Sequence, residues 1–347
     1  MQARDKIDRL YKTLMIIALI ITGVILLKDI VIPVAFAGLF SVVLLPLVRK
    51  LERKTGRLFS ILLALLGSFT VMGLIIWFVV SQVTSLVASL PGLEEKFFSV
   101  VNQASDALNH TFNISTDEQS RFVSDTVKEM SSSMGGLLLS TSYLVYFIVQ
   151  VPIYIFLFLL YREKFKAFIL TFTAGDELIW QKDVEHVIQG YISGLIIVIV
   201  ITGALISTGL LILGIEHAIF FGFLSGALVM IPYIGIGIGA TLPFLVALVT
   251  KDSLWYAVGV IAVHGFVQFL EGNFITPRIT GARISINAIA AILALLVGER
   301  ILGIPGMILA IPAIGTLRIL LSYSKTYKPF TILLEGSTSK SREHLHE

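Results

Sequence analysis

The sequence predicts an all-α polytopic membrane protein, and three observations support that fold class. Hydrophobic residues make up 56% of the 347 residues, whereas charged residues make up only 14%. The mean hydropathy is +0.91. Several uncharged runs approach the ~18–20 residues that a helix needs to cross a ~30 Å hydrocarbon core. A soluble protein of this length could not bury so much apolar surface, since ordinary globular chains carry about 25% charged residues.

Residues 1–80 are expected to form the first three membrane spans. Apolar runs cover residues 11–27, 30–48 and 58–80. Between the second and third runs, five basic residues stand against one acid, Glu52. This short loop is therefore placed in the cytoplasm by the positive-inside rule. The N-terminus is expected on the same side, because one pair of spans precedes the loop.

Residues 81–136 form a predicted extracytoplasmic helical insert, because they follow a third span that starts in the cytoplasm. Apolar residues at positions 93, 97, 101, 104 and 108 are spaced as on one face of a helix. Thr116 and Gln119 match a capping box, so we expect a second helix after them. A segment this small without cysteines is not stable alone. Either its helices pack on the membrane domain or another subunit, or they lie on the outer bilayer surface.

The remaining chain divides near residue 214. Residues 137–213 are expected to hold spans four and five, joined by a cytoplasmic loop at 162–190 that opens with three basic residues. Residues 214–321 are predicted to form the transport path, because short, interrupted apolar segments at membrane depth line cavities. Residues 322–347 form a basic tail placed in the cytoplasm. The apolar pieces of the path region are 218–230, 240–250, 254–269, 286–298 and 301–321, and only the last comfortably spans.

A glycine run in this region is a candidate for close backbone approach. After Pro232, glycine stands at every second position, at Gly235, Gly237 and Gly239. One interpretation is an unwound or extended stretch that an ion or solute approaches closely. The other interpretation is tight helix packing. Packing is favoured for the two GxxxG pairs, Gly190 with Gly194 and Gly222 with Gly226.

The most informative polar residues begin at His264. His264, Gln268 and Glu271 stand at i, i+4 and i+7, on one face of an otherwise apolar helix. An ionisable residue inside a membrane is costly and faces a cavity, a partner charge or a transport path. Glu271 is therefore the first candidate for a proton- or cation-linked carboxylate. The alternative is a structural ion pair with Arg278 or Arg283, and His264 is equally a satisfied interior histidine.

The residues that follow Glu271 predict an interrupted helix. Gly272, Pro277 and Gly281 bracket Asn273 and Thr276. We expect the helix to break here and to expose backbone carbonyls and amides, as broken helices do in secondary transporters.

No pattern typical of an enzyme is present. The motifs HExxH, GxSxG and GxxxxGK[ST] are absent, and so is cysteine. No basic face with interleaved aromatics indicates nucleic acid as a partner. We therefore expect no catalytic residue, metal or cofactor. Because no nucleotide-binding motif is present, transport is expected to be coupled to a gradient of H⁺ or Na⁺. Glu216 is a weaker candidate for the path, because an exposed turn between spans also explains it.

Five motifs within roughly residues 190–320 resemble those of the autoinducer-2 exporter family of bacterial and archaeal membrane proteins. The resemblance implies about eight spans, transport rather than catalysis, and a homo-oligomer, for which a pentamer is the expected assembly. Gly306 lies in one motif and is a candidate for gating, although Pro305 stands before it where a less rigid residue is expected. The motifs are Gly214-Ile-Glu216-His217 with Phe221-Gly222, Ile231-Pro232-Tyr233-Ile-Gly235, Glu271-Gly-Asn273, Thr276-Pro277-Arg278 with Gly281, and Gly303-Ile-Pro-Gly306.

The predicted function is ion-coupled secondary transport by alternating access. The first candidate is export of a small polar organic solute, similar to autoinducer-2, across a prokaryotic inner membrane with both termini in the cytoplasm. The second is sodium (lithium)/proton antiport, which the resemblance also implies. A candidate of another class is a non-transporting scaffold or regulatory protein that binds partners through residues 81–136. The expected partners are the lipid bilayer, the solute or a monovalent cation, and further copies of the chain.

Overall fold

The structure is a computed structural model that describes residues 2–112, 141–171, 179–231, 234–281, 286–324 and 327–336. Within these ranges the chain is helical almost throughout. The one extended pairing described there is a single antiparallel bridge between Ile286 and Glu335. The predicted all-α class is therefore confirmed for the described part of the chain.

Twelve α-helices follow one another in the described ranges, and two π-helical segments, Glu271–Ile275 and Pro277–Gly281, follow the ninth. A 3₁₀ turn, Lys328–Phe330, precedes the last helix. The α-helices are α1 (Gln2–Leu26), α2 (Lys28–Thr55), α3 (Arg57–Phe112), α4 (Thr141–Leu160), α5 (Arg162–Leu170), α6 (Ile179–Ile212), α7 (Ala218–Leu228), α8 (Ile234–Thr250), α9 (Leu254–Leu270), α10 (Ala288–Leu302), α11 (Ile304–Ser322) and α12 (Thr331–Leu334).

Five helical stretches among the described residues are long and apolar enough to cross a membrane. They are Lys28–Thr55, Arg57–Leu86, Trp180–Ile212, Leu254–Ile279 and Ile304–Ser322. The prediction that 301–321 is the only comfortably spanning piece of the C-terminal half is therefore wrong. The apolar piece that begins at Leu254 also reaches spanning length, because the chain remains helical past Phe269 as far as Ile279.

Helix α3 is longer than the predicted third span. It continues without interruption from Arg57 to Phe112, over 56 residues. It therefore includes the predicted apolar face at 93–108. The second helix expected after Thr116 lies outside the described residues, and the boundaries of the insert stay a prediction.

Much of the predicted cytoplasmic connection at 162–190 is helical in the described residues, and its side of the membrane stays a prediction. Residues Arg162–Leu170 form α5, and α6 begins at Ile179, well before the predicted start of the fifth span at Tyr191. The start of α6 is amphipathic: Trp180 and Val184, one turn apart, line a cavity that also involves Leu45 and Phe158. Partial burial of Trp180 and Val184 stabilises this first part of the helix.

Residues 1–65, 150–195 and 277–347 form one compact unit. In it, α10 and α11 pack as a hairpin whose turn is Gly303, with φ +67°. The two backbones approach so closely that a Cβ atom at Gly298 would lie 2.5 Å from the Gly306 carbonyl oxygen. Gly306, predicted as a gating residue, therefore lies at a tight helix contact.

The same unit carries several ion pairs and polar contacts near the ends of its helices. Arg162 Nη2 lies 2.6 Å from Glu52 Oε2, and Arg49 Nη1 lies 3.1 Å from Glu185 Oε2. Tyr323 donates its hydroxyl hydrogen to Asp183 Oδ2 at 2.7 Å. This hydrogen bond to a carboxylate raises the pKa of Tyr323 above its ordinary value.

Residues 66–149 and 196–276 form the second compact unit. Its core joins α6, α7, α8 and α9 around Leu210, Phe221, Ala247 and Val260, each of which is fully buried. Small residues allow α7 to lie against α6, since a Cβ atom at Gly226 would lie 2.7 Å from the Ile199 carbonyl oxygen. Helix packing is therefore confirmed for the Gly222/Gly226 pair.

Candidate functional site

The central residue of the candidate site is Glu271, where α9 passes into the first π-helical segment. Its side chain is buried, with 6% of the residue exposed. Gln268 Nε2 donates to Glu271 Oε2 at 2.8 Å, and Thr276 Oγ1 donates to Oε1 in a short hydrogen bond. Both donors are neutral side chains that belong to the second unit. Both oxygens of the carboxyl group therefore accept a hydrogen bond.

The predicted helix break after Glu271 takes a different form. The chain remains helical through Gly281, but it changes from α to π geometry at Glu271–Ile275 and Pro277–Gly281. The Thr276 amide donates to the Glu271 carbonyl oxygen, which is a five-residue rather than a four-residue step. The prediction of a break is therefore wrong. Pro277 cannot donate a backbone hydrogen bond, and a wider helical turn accommodates this. Single π-helical turns are often found at functional sites.

His264 lies two turns before Glu271 and is also buried, at 5% exposure. Its Nδ1 atom lies 2.9 Å from the Val260 carbonyl oxygen on the same helix. Its Nε2 atom lies 3.3 Å from Ser225 Oγ on α7. Ser225 Oγ in turn donates to the Gly239 carbonyl oxygen on α8 at 2.9 Å. A polar cluster therefore links α7, α8 and α9 inside their apolar core.

Sequence reasoning did not select Ser225. Ser225 lies between Gly222 and Gly226, and this GxxxG pair was interpreted as a helix-packing motif without a role for the serine. A signal was present, because Ser225 is the only polar side chain of α7. A lone serine in an apolar membrane helix needs a hydrogen-bond partner.

The glycine run is helical, so the interpretation as an extended or unwound stretch is wrong for Gly235, Gly237 and Gly239. All three belong to α8. Gly239 packs against Ser225, whose Cβ would lie 3.0 Å from a Cβ atom at position 239, and Gly235 lies against the Leu228 backbone. Gly237 faces open space and is exposed. Pro232 lies outside the described residues.

Four further predicted site residues, Gly272, Asn273, Pro277 and Arg278, lie at exposed positions. Asn273 and Gly272 are exposed, and the Asn273 amide donates to the Phe269 carbonyl of its own helix at 2.9 Å. Arg278 is also exposed and belongs to the first unit, with Pro277. Gly281 ends the second π-helical segment. The ion pair between Glu271 and Arg283 stays untested, because Arg283 lies outside the described residues.

Glu216 lies in the turn between α6 and α7. It is exposed, and His217 beside it adopts a left-handed backbone conformation with φ 55°. The His217 ring contacts Gln82 Oε1 through Nδ1 at 2.9 Å. The structure therefore places Glu216 apart from the buried pair Glu271 and His264, as the turn interpretation predicts.

Metal ligands are not clustered in the described ranges, where no group of three His, Asp or Glu residues is arranged to hold a metal ion. The polar residues that the fold does bring together are a buried carboxylate and a buried imidazole, two turns apart on one membrane helix. This arrangement defines a polytopic membrane protein with ionisable groups inside its helical core, as transporters have.

Comparison with known proteins agrees with this class. A family described as AI-2E family transporter matches residues 14–325. Two similar proteins are "Putative transport protein YrrI" of Bacillus subtilis and "AI-2 transport protein TqsA" of Escherichia coli. YrrI is 26% identical over 85% of this chain and 86% of its own length. TqsA is 21% identical over 92% of this chain and 93% of its own length. The chain belongs to the AI-2E transporter family of membrane transport proteins.

Proposed function

We propose that this protein is a secondary transporter that exports a small polar organic solute, similar to autoinducer-2, by ion-coupled alternating access. A gradient of protons or sodium ions drives the export. The name of TqsA supports this solute class, because it describes that relative as an AI-2 transport protein. Membership in a family of transport proteins favours this function over a non-transporting scaffold.

The observation that carries the proposal is the environment of Glu271. A buried carboxylate in a membrane helix is expensive and is retained where it has a function. Gln268 and Thr276 hold both oxygens with hydrogen bonds, so the group is positioned without being neutralised by them. Binding of a cation or proton changes its charge, and the adjoining π-helical turn gives the backbone a place to rearrange.

The proposal also covers the membrane location, the oligomeric state and the moving helices of the transporter. We place it in the prokaryotic inner membrane with both termini in the cytoplasm, because the five basic residues at positions 49–57 favour the cytoplasmic side. It assembles as a homo-oligomer of five subunits, as the family resemblance implies. The moving parts are α8 and the π-helical segments that follow α9.

Sodium (lithium)/proton antiport is the second candidate, and one observation favours it. The Glu271 carboxylate, the Thr276 hydroxyl and the Gln268 side-chain amide bring three oxygen-bearing groups together. Oxygen ligands of these kinds bind hard cations, and sodium and lithium ions are hard cations.

The experiment compares wild-type protein with Glu271→Gln in sealed proteoliposomes. Radiolabelled furanone and an internal pH dye report solute and proton movement under imposed proton, sodium and lithium gradients. Glu216→Gln is the matched control, because it removes an exposed acid in the same half of the chain. Solute efflux that follows the ion gradient and is lost only in Glu271→Gln supports the proposal. Cation-dependent proton flux without solute flux establishes antiport instead, and no flux of either kind contradicts both.

A further inference from the structure

We propose that His264, Ser225 and the Gly239 carbonyl form a proton-binding site within the membrane, whose protonation ties α7, α8 and α9 together. The site is separate from Glu271. Its use in coupling rests on the proposed function, whereas proton binding itself does not.

The number of hydrogen atoms in the cluster supports this inference. Val260 and Gly239 contribute carbonyl oxygens, which only accept hydrogen bonds. The contact of 2.9 Å between His264 Nδ1 and the Val260 oxygen therefore needs a hydrogen on Nδ1. The contact of 2.9 Å between Ser225 Oγ and the Gly239 oxygen needs the single hydroxyl hydrogen.

The third contact then determines the charge of the ring. Ser225 Oγ has no second hydrogen, so a hydrogen bond between it and His264 Nε2 at 3.3 Å requires a hydrogen on Nε2. All three hydrogen bonds form together only when both ring nitrogens carry hydrogen, which is the cationic imidazolium. A neutral ring leaves one of the three contacts unmade in either tautomer. The longest contact is the one between α7 and α9.

Protonation is thereby coupled to helix packing. In the protonated state one hydroxyl group links α7 to both neighbours, because it accepts from His264 and donates to Gly239. In the neutral ring with its hydrogen on Nδ1, that hydroxyl hydrogen serves either the Gly239 carbonyl or the His264 Nε2 atom. Losing the proton therefore removes one hydrogen bond inside an apolar core, where an unpaired polar group is costly: an interhelical bond of Ser225 if Nδ1 keeps its hydrogen, or the Val260 bond if Nε2 keeps its hydrogen.

Few other titratable groups lie on the elements packed against His264. Helices α7 and α8 carry none. Residues 66–86 of α3 and 196–212 of α6 carry none either. The later part of α3, residues 87–112, carries Glu94, Glu95, Lys96, Asp106 and His110. On α9 itself, Tyr256 precedes the ring by two turns, and Glu271 follows it by two turns, about 10 Å along the axis. The protons of His264 and Glu271 are therefore bound at distinct positions, and the ring is the titrating group of this cluster.

The test observes the ring directly. Full-length protein labelled with ¹⁵N in its histidine rings is placed in lipid nanodiscs, and nitrogen NMR spectra are recorded from about pH 5 to 9. The chain has six histidines, so His264→Gln identifies the signals of His264 by their loss. We expect these signals to change from doubly protonated to neutral within this range.

Ser225→Ala tests the role of the hydroxyl group. Without it, the Nε2 hydrogen loses its acceptor, so we expect the titration midpoint of His264 to fall by about one pH unit or more. Ser207→Ala is the matched control, because Ser207 is a buried serine at 5% exposure whose hydroxyl donates to Ile219 instead. The midpoint should be unchanged in this variant. One unchanging protonation state across the range, or equal midpoints in wild type and Ser225→Ala, overturns the inference.

Transport measurements separate this inference from the proposed function. Where the protein transports, the pH of half-maximal efflux should shift with the NMR midpoint in Ser225→Ala. Titration of His264 without any flux in wild type contradicts the proposed function but supports the proton site. Flux that depends on Glu271, with no titration of His264, supports the proposed function and overturns this inference.

Discussion

Gln268 and Glu271 lie one turn apart on the same helix, and the glutamine amide donates to the buried carboxylate at 2.8 Å. The two residues therefore act as one unit: the glutamine orients the carboxylate, and Thr276 orients its other oxygen. A carboxylate held at both oxygens in this way has a fixed position.

Removal of the orienting amide should weaken ion coupling. We expect Gln268→Ala to raise the ion concentration at half-maximal efflux about tenfold or more, because a hydrogen bond to a charged group contributes about 1.5–3 kcal/mol. The measurement is initial efflux against ion concentration in proteoliposomes. Asn273→Ala is the control, since its amide bonds to the Phe269 carbonyl and not to Glu271. An equal loss in both variants would contradict the role given to Gln268.

A buried and an exposed helical glycine should differ sharply in their tolerance of a methyl group. Gly226→Ala places a Cβ atom 2.7 Å from the Ile199 carbonyl oxygen, whereas Gly237→Ala meets nothing within 4 Å. We expect the first change to destabilise the protein by about 1–3 kcal/mol through overpacking. The second should be neutral or stabilising, because alanine is the better helix former. Thermal unfolding in detergent compares the two, and equal midpoints would argue against tight packing of α7 on α6.

The ion pairs of Arg162 should contribute unequally to stability. Glu52 is 23% exposed and lies 2.6 Å from the guanidinium, whereas Glu163 is 63% exposed and lies 3.3 Å away. We expect Glu52→Gln to cost about 1.5 kcal/mol or more, since it removes a well-aligned, partly buried partner. Glu163→Gln should cost less than about 1 kcal/mol, as exposed pairs do. Both free energies are measured by denaturant unfolding, and a larger effect of Glu163→Gln would overturn this order.

Asn287 connects the C-terminal segment to the start of α10. Its Oδ1 accepts from the Ala290 amide at 2.7 Å, and its Nδ2 donates to the Leu333 carbonyl at 2.7 Å. Asn287→Asp keeps the capping oxygen but removes the donor. We expect faster hydrogen exchange at residues 331–335 with α10 unchanged, whereas Asn287→Ala should also affect the first turn of α10. Unchanged exchange in both variants would show that this contact does not hold the segment.

The sequence by itself determined the membrane class and the face that carries His264, Gln268 and Glu271. Both follow from local properties: the length of apolar runs and the 3.6-residue period that places i, i+4 and i+7 together. The family resemblance was also present in the sequence, and the match over residues 14–325 confirms it.

Tertiary structure alone decided what these side chains contact. Ser225 and His264 are 39 residues apart, and no local pattern joins them. The sequence predicts an irregular stretch after Glu271 and leaves two interpretations of the glycine run after Pro232, an unwound stretch or tight helix packing, because glycine and proline disfavour helix. Both are helical in the structure, since packing of α8 against Ser225 and a change to π geometry accommodate those residues. Packing contacts outweigh propensities of about 1 kcal/mol per glycine, so only the assembled helices determine where the backbone bends and which polar groups meet.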